Sequence, residues 1–163
     1  MNVKSNKPVH ARTSTAAEGD VVVFLIGMRV NQFWAPWRWL PVFSSMPRML
    51  RELSRDKESG LLNYQLVSGG PRLFSVVQYW DSKEKLLAYA ADQDKVHRPA
   101  WAAFNRRARG GARAVGIWHE TYVVPAGNYE ALYHGMPASG LGAAYGTVPV
   151  ERRGDRAADR LRG

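Results

Sequence analysis

Apolar runs along the chain predict four strands with two helical regions between them. Residues 20–30, DVVVFLIGMRV, lack polar alternation, which is typical of a strand buried on both faces. Two further runs, residues 61–68 and 72–80, flank Gly69-Gly70-Pro71 and predict a β-hairpin. A fourth run covers residues 112–124. The order β-α-β-β-α-β is that of a ferredoxin-like α+β domain. Its helices cover one face of the sheet, and we expect a second copy of the chain to cover the other.

The segment between the first two strands predicts an aromatic loop that leads into a helix. Residues 31–41, NQFWAPWRWLP, hold three Trp, and Pro36 and Pro41 are expected to stop a regular helix across them. Apolar residues then recur at spacings of three and four from Pro41 to Arg55, as in an amphipathic helix. Pro47 lies inside this pattern and predicts either a kink or a helix that begins near it.

The second helical region follows the hairpin. Asp81 or Ser82 is predicted to cap it, with Glu84 placed three residues after Asp81 to complete a capping box. Pro99 interrupts the apolar pattern, and a second helical segment continues to Gly110-Gly111.

The two ends of the chain differ in composition from its centre. Residues 1–19 and 147–163 are poor in large apolar side chains, and we predict that both are disordered tails. Residues 20–146 are predicted to form one domain. Within it, residues 125–146 are rich in glycine but also hold Tyr, Leu and Met, which predicts an ordered arm around the domain or its partner.

The formal charge of +9 raises the question of nucleic-acid binding. The excess of positive charge is concentrated at the two ends of the chain. Lys4, Lys7 and Arg12 lie near the start without a neighbouring acidic residue. Residues 151–163 hold five arginines and three acidic residues. The central domain is nearly neutral, so we expect basic solvated tails and no nucleic-acid partner.

Cysteine and hydropathy narrow the class of protein further. The chain has no cysteine, which excludes disulfides, thiolate chemistry and iron–sulfur clusters. No apolar run reaches the roughly 18 residues that a membrane span needs, and residues 1–20 lack the apolar region of a signal peptide. We therefore expect a cytoplasmic protein without a membrane partner.

The four histidines carry most of the candidate chemistry. They fit no HxH or HExxH spacing, and the chain has no phosphate-binding glycine loop, so no protein-bound metal is expected. His119 lies in the fourth strand, where alternation sends it to one face and Trp118 with Glu120 to the other. His119 is either a hydrogen-bonded core residue or a proton-transfer group in a cavity, and Glu120 either pairs with an arginine or takes part in that transfer.

Two further features have both a structural and a functional interpretation. His97 precedes Pro99 and either caps the helical segment there or points into an apolar cavity as a haem ligand. Trp34, Trp37 and Trp39 form either core or dimer interface, or they line a pocket for a flat apolar ligand.

Several segments together resemble the DUF4188 family, which is described as monooxygenase-like and includes fungal polyketide-pathway enzymes. They are VVQYWDSKEKLLAYA, HRPAWAAFN, GIWHETYVV, YEALYHGMP, GLGAA and MPRMLRELSRDKESGLL. The resemblance covers about residues 20–146 and implies a dimeric α/β barrel, the fold of antibiotic-biosynthesis monooxygenases, haem-degrading monooxygenases and aldoxime dehydratases.

The resemblance implies a small monooxygenase-like enzyme for an aromatic or polyketide-like molecule, without flavin or protein-bound metal. We expect His119 or His97 as the base and Glu120 as the group that orients it. The side chains expected near the ligand are Trp34, Trp37, Tyr79 and Trp101. One alternative is a haem enzyme with His97 as axial ligand, like a haem monooxygenase or aldoxime dehydratase. Another is a barrel that binds a small molecule without catalysis.

Overall fold

The computed structural model describes residues 10–92 and 114–161. Its strands and helices, numbered along the chain, are β1 Thr13–Thr15, β2 Val21–Val30, α1 Pro36–Arg55, β3 Leu61–Ser68, β4 Leu73–Trp80, α2 Lys83–Ala91, β5 Val115–Val124, α3 Gly140–Tyr145, β6 Thr147–Pro149 and α4 Ala157–Arg160. The main sheet has the strand order β3-β4-β2-β5, and every pair in it is antiparallel. The expected ferredoxin-like α+β fold is therefore confirmed.

The main sheet has two faces with different surroundings. On the helix-side face, Val22 and Trp80 pack with Leu53 of α1 and Leu86 of α2 in a buried cluster of the core. Trp80 is completely buried. The opposite face, called the outer face below, carries the alternate residues of each strand. Period-two alternation thus assigns every strand residue to one of two environments.

Helix α1 begins earlier than expected, which corrects the predicted aromatic loop. Pro36 occupies the first turn of the helix, where its missing N–H costs no hydrogen bond, and the helix continues through Pro41 and Pro47. Aromatic contacts support this proline-containing half, since Trp39 stacks on Phe33 at 5.6 Å between ring centroids. The Trp39 indole N–H also donates to the carbonyl of Phe33 at 3.3 Å.

Helix α2 is capped by one of the two predicted residues. The Ser82 hydroxyl accepts a hydrogen bond from the backbone N–H of Lys85 at 3.2 Å. Asp81 instead accepts one from the Lys85 ammonium group at 2.6 Å, and Glu84 lies beside Lys83 at 3.8 Å. Ser82 is therefore the cap, and the predicted capping box of Asp81 with Glu84 is wrong.

The predicted disordered tails are wrong for residues 10–19 and 147–161. Strand β1 pairs with β6 in a separate two-stranded sheet, with Ser14 opposite Val148. Val150, directly after β6, is only 1% exposed. Backbone pairing between distant segments orders both ends, and composition alone gives no sign of such pairing.

Arginine side chains attach the C-terminal segment to the domain. The Arg153 guanidinium donates to the carbonyl of Ala17 at 2.6 Å. Arg160 forms an ion pair with Glu130 at 2.7 Å, and only 5% of the Arg160 side chain is exposed. Some of the arginines that suggested a solvated tail therefore have a structural role. The N–H groups of one guanidinium can donate hydrogen bonds to several oxygens at once.

The glycine-rich arm packs on the outer face of its own sheet, over β3 and β4. Ser139 donates to the side-chain oxygen of Gln65 at 3.5 Å, and the Tyr145 hydroxyl donates to the carbonyl of Trp80 at 3.2 Å. Tyr133 accepts from the N–H of Gly142 at 2.8 Å. None of the helices within the described ranges is long and apolar enough to cross a membrane.

Candidate functional site

A cavity of about 570 Å³ lies between the helix-side face of the sheet and helices α1 and α2. This volume falls within the range of about 300–1,000 Å³ that is usual for small-molecule sites. Its walls are mainly apolar and include Phe24, Ile26, Met46, Met49, Val76 and Leu87. The polar side chains of the lining, apart from the Trp80 indole, are Ser45, Ser68, Ser75, Gln78, Tyr89, His119 and Thr121.

His119 is one of these polar side chains. It lies in the middle of β5 opposite Ile26 of β2, on the same face as Ile117 and Thr121, which also line the cavity. The His119 and Phe24 rings are 5.9 Å apart between centroids, with planes inclined at 41°. Of Trp118, His119 and Glu120, His119 is the one that lines the cavity.

Glu120 lies on the outer face, away from the cavity. Its carboxylate accepts a hydrogen bond from the Tyr122 hydroxyl at 2.6 Å. This hydrogen bond and the carboxylate charge raise the pKa of Tyr122. The expected role of Glu120 in orienting His119 does not match this geometry, because neighbouring strand residues point to opposite faces.

Three of the residues expected near the ligand lie elsewhere. Trp34 is 72% exposed and Trp37 is 68% exposed, and neither lines the cavity. Tyr79 is on the outer face, where the arm at Gly140 approaches its hydroxyl and burial raises its pKa. None of the three lines this cavity, because strand alternation and the early start of α1 direct them away from it, and their expected contact with a ligand stays a prediction.

His97 and Trp101 lie outside the described residues, so their expected roles stay predictions.

Gln78 is a cavity residue to which sequence reasoning assigned no role. It is 2% exposed and lies on the helix-side face of β4 between Val76 and Trp80. The Trp80 indole N–H donates to its side-chain oxygen at 2.9 Å. The signal that could have revealed it is a lone amide within the apolar alternation of RLFSVVQYW.

The described lining can also be compared with the requirements of haem. It holds one imidazole, that of His119, and no Lys or Arg. His97, the expected axial ligand, lies outside the described residues, so haem stays an alternative, and no step below is routed through it. Within the described ranges, no three His, Asp or Glu side chains are grouped as a metal site requires.

Comparisons with known proteins agree with the expected family. The chain matches the model of the monooxygenase af470-like family over residues 21–141. It is 29% identical over 146 residues to monooxygenase af470 of Aspergillus fumigatus, a match that covers 85% of this chain and 50% of that protein. The chain thus spans about half the length of this curated relative.

Solved structures show a similar fold at low identity. An aldoxime dehydratase in complex with butyraldoxime has a TM-score of 0.66 and 14% identity, over 88% of this chain and 41% of that chain. A second aldoxime dehydratase has a TM-score of 0.58 and 18% identity, over 90% and 41%. SnoaB, a cofactor-independent oxygenase from Streptomyces nogalater, has a TM-score of 0.41 and 15% identity, over 63% and 91%. Because the family model matches well over half of its residues, the chain belongs to the monooxygenase af470-like family.

Proposed function

We propose that the chain is the catalytic unit of an oxygenase that oxidises a flat, apolar aromatic molecule in the cavity between the sheet and the helices. The observation that carries this proposal is the position of His119, whose imidazole lines a mainly apolar cavity beside Phe24. The fungal protein to which the chain is similar is named a monooxygenase, which supports the proposal.

In the proposed reaction His119 removes a proton from an acidic ring methylene of the substrate. Imidazole suits this step because its usual pKa lies near neutral pH. The resulting carbanion reduces molecular oxygen. One oxygen atom becomes a ring carbonyl and the other leaves as water, so that a methylene and O₂ give a carbonyl and H₂O. The substrate supplies all four electrons.

The proposal includes a homodimer assembled through the outer face of the sheet. Leu25 and Val77 are only half-buried on that face, and the Tyr122 ring beside them is 49% exposed. A second copy of the chain would bury these apolar groups, as is common for open sheets in symmetric oligomers. A cytoplasmic location stays a prediction.

Oxygen uptake with anthrone, a tricyclic ketone with an acidic methylene, tests the proposed reaction. We expect the protein to consume one O₂ per anthrone and to form anthraquinone faster than heat-inactivated protein does, because anthrone oxidises slowly by itself. Uptake at the background rate would contradict the proposal. Anthrone binding without uptake would instead support a barrel that binds small molecules and does not catalyse.

A haem titration addresses the alternative in which His97 is an axial ligand. We expect the visible spectrum of added haem to remain that of free haem, because the proposed reaction takes its electrons from the substrate and needs no cofactor. A shifted Soret band that disappears in a His97→Ala variant would favour the haem enzyme instead.

A further inference from the structure

We propose that the Gln78 side chain, held in one orientation by Trp80, donates hydrogen bonds to a carbonyl or phenolate oxygen of the ligand. This inference deepens the proposed function, because it specifies the substrate class for the same cavity. It depends on a different strand from the one that carries His119.

The burial of Gln78 is the first observation. Its side chain is 2% exposed, yet it lies on an apolar face and lines the cavity. An amide removed from water without hydrogen bonds is unfavourable, so buried amides are nearly always hydrogen-bonded. A glutamine at this position therefore requires partners for both ends of its amide.

Trp80 determines which end of the amide faces the cavity. An indole N–H can only donate, so the atom 2.9 Å from it must be the Gln78 oxygen and not the nitrogen. This removes the usual ambiguity between the two ends of an amide. Trp80 is itself completely buried and cannot easily rotate away. Trp80 is thus a positioning residue for Gln78.

The Gln78 NH₂ group is then available to a ligand. Among the described residues, the Gln78 side chain has one hydrogen-bond partner, the indole N–H of Trp80. Its two N–H donors need an acceptor, and the cavity is the space that the residue lines. A ketone, quinone or phenolate oxygen fits these donors. A carboxylate fits less well, because the described lining has no Lys or Arg to balance its charge.

The register of the sheet sets the spacing between Gln78 and His119. Gln78 lies opposite Phe24, and His119 lies opposite Ile26, on the two strands that flank β2. Two strand spacings and a two-residue offset place the Gln78 and His119 Cα atoms roughly 12 Å apart. Both side chains reach inward, so a ligand of two or three fused rings over Phe24 can meet both.

This arrangement also suits the proposed reaction. If the ketone is conjugated with the methylene that His119 deprotonates, negative charge develops on the ketone oxygen. Hydrogen bonds from Gln78 then become stronger as the proton leaves, which stabilises the transition state more than the bound substrate.

A matched pair of probes, fluorenone and fluorene, tests the inference because the two differ only in a carbonyl against a methylene. Equilibrium dialysis gives the ratio of their dissociation constants. We expect Gln78→Met to lower the preference for fluorenone by roughly five- to ten-fold, the loss of about one hydrogen bond, because methionine keeps the volume but has no donor.

Two further variants control this measurement. Gln78→Met leaves the Trp80 N–H without its oxygen, so the double variant Gln78→Met/Trp80→Phe removes both partners and leaves no buried donor unpaired. Gln65→Met is the matched control, since Gln65 is on the neighbouring strand beneath the arm. If the ratio of the fluorenone and fluorene dissociation constants is unchanged in the single or the double variant, the inference is wrong. An equal change in Gln65→Met, or failure of both probes to bind the wild-type protein, also overturns it.

The fluorenone measurement tests the donor site at Gln78, and anthrone oxidation tests the proposed function, so either proposal can be disproved without the other. If the preference depends on Gln78 but anthrone is not oxidised, the proposed function is wrong and the donor site stands. If oxidation requires His119 but the preference is independent of Gln78, the donor site is wrong and the proposed function stands.

Discussion

Replacement of His119 by alanine is expected to lower the rate of oxygen-dependent anthrone turnover at least about 100-fold, the usual minimum contribution of a positioned general base. His119 is the one imidazole in the described lining, so the methylene proton would then have to pass to water without a positioned base. Initial rates of oxygen uptake at saturating anthrone, corrected for spontaneous oxidation, measure the effect.

His134→Ala is the matched control for this loss. His134 is exposed in the arm and does not line the cavity, so its replacement should leave the rate unchanged. Light scattering should report two chains per particle for both variants and for the wild type. A wild-type rate in His119→Ala would remove His119 from the mechanism and leave His97 as the remaining candidate base.

Replacement of Val150 by aspartate is expected to lower the free energy of unfolding by about 3 kcal/mol or more, since it places a carboxylate at a buried position. Val150 is 1% exposed and directly follows the strand that pairs with β1. Urea denaturation followed by tryptophan fluorescence measures the change in the unfolding midpoint.

Leu161→Asp provides the comparison, because Leu161 is 45% exposed in the same C-terminal segment. Its replacement should leave the urea midpoint near that of the wild-type protein, as is usual for surface substitutions. Equal midpoints for Val150→Asp and the wild type would mean that the C-terminal segment adds no stability, as a disordered tail would.

The positions of Gln78 and His119 suggest how a small cavity could combine two tasks. The strands that carry them flank β2, and the Phe24 side chain lies on the same face between them. A donor on one flanking strand and a proton acceptor on the other would hold one ring system at two points. Such two-point positioning contributes to rate by restricting the bound substrate to a reactive orientation.

Strand positions and side-chain faces could be predicted from the sequence because they depend on local backbone geometry. The runs that predicted four strands correspond to β2, β3, β4 and β5. Alternation along β5 correctly separated His119 from Glu120, since successive strand residues point to opposite faces whatever lies around them. Ser82 could be named as a possible cap for a similar reason, as capping involves only a few consecutive residues.

Features that depend on distant contacts could not be predicted in this way. Pro36 and Pro41 indicated a loop. The chain is instead helical at both prolines, and Trp39 of this helix packs against Phe33. Trp34 and Trp37 suggested a pocket lining and are instead exposed. Local preferences are weak compared with tertiary packing, so an aromatic residue in the sequence does not reveal whether it faces a cavity or water.

By itself, then, the sequence determined the α+β strand order, the two faces of each strand and the resemblance to a monooxygenase-like family. The tertiary structure alone decided that the helix-side face encloses a cavity, that Gln78 and His119 share it while Tyr79 and Glu120 do not, and that both ends of the chain join one small sheet. The physical reason is the range of the interactions: side-chain direction follows from neighbouring residues, whereas burial and cavity shape follow from segments far apart in the chain.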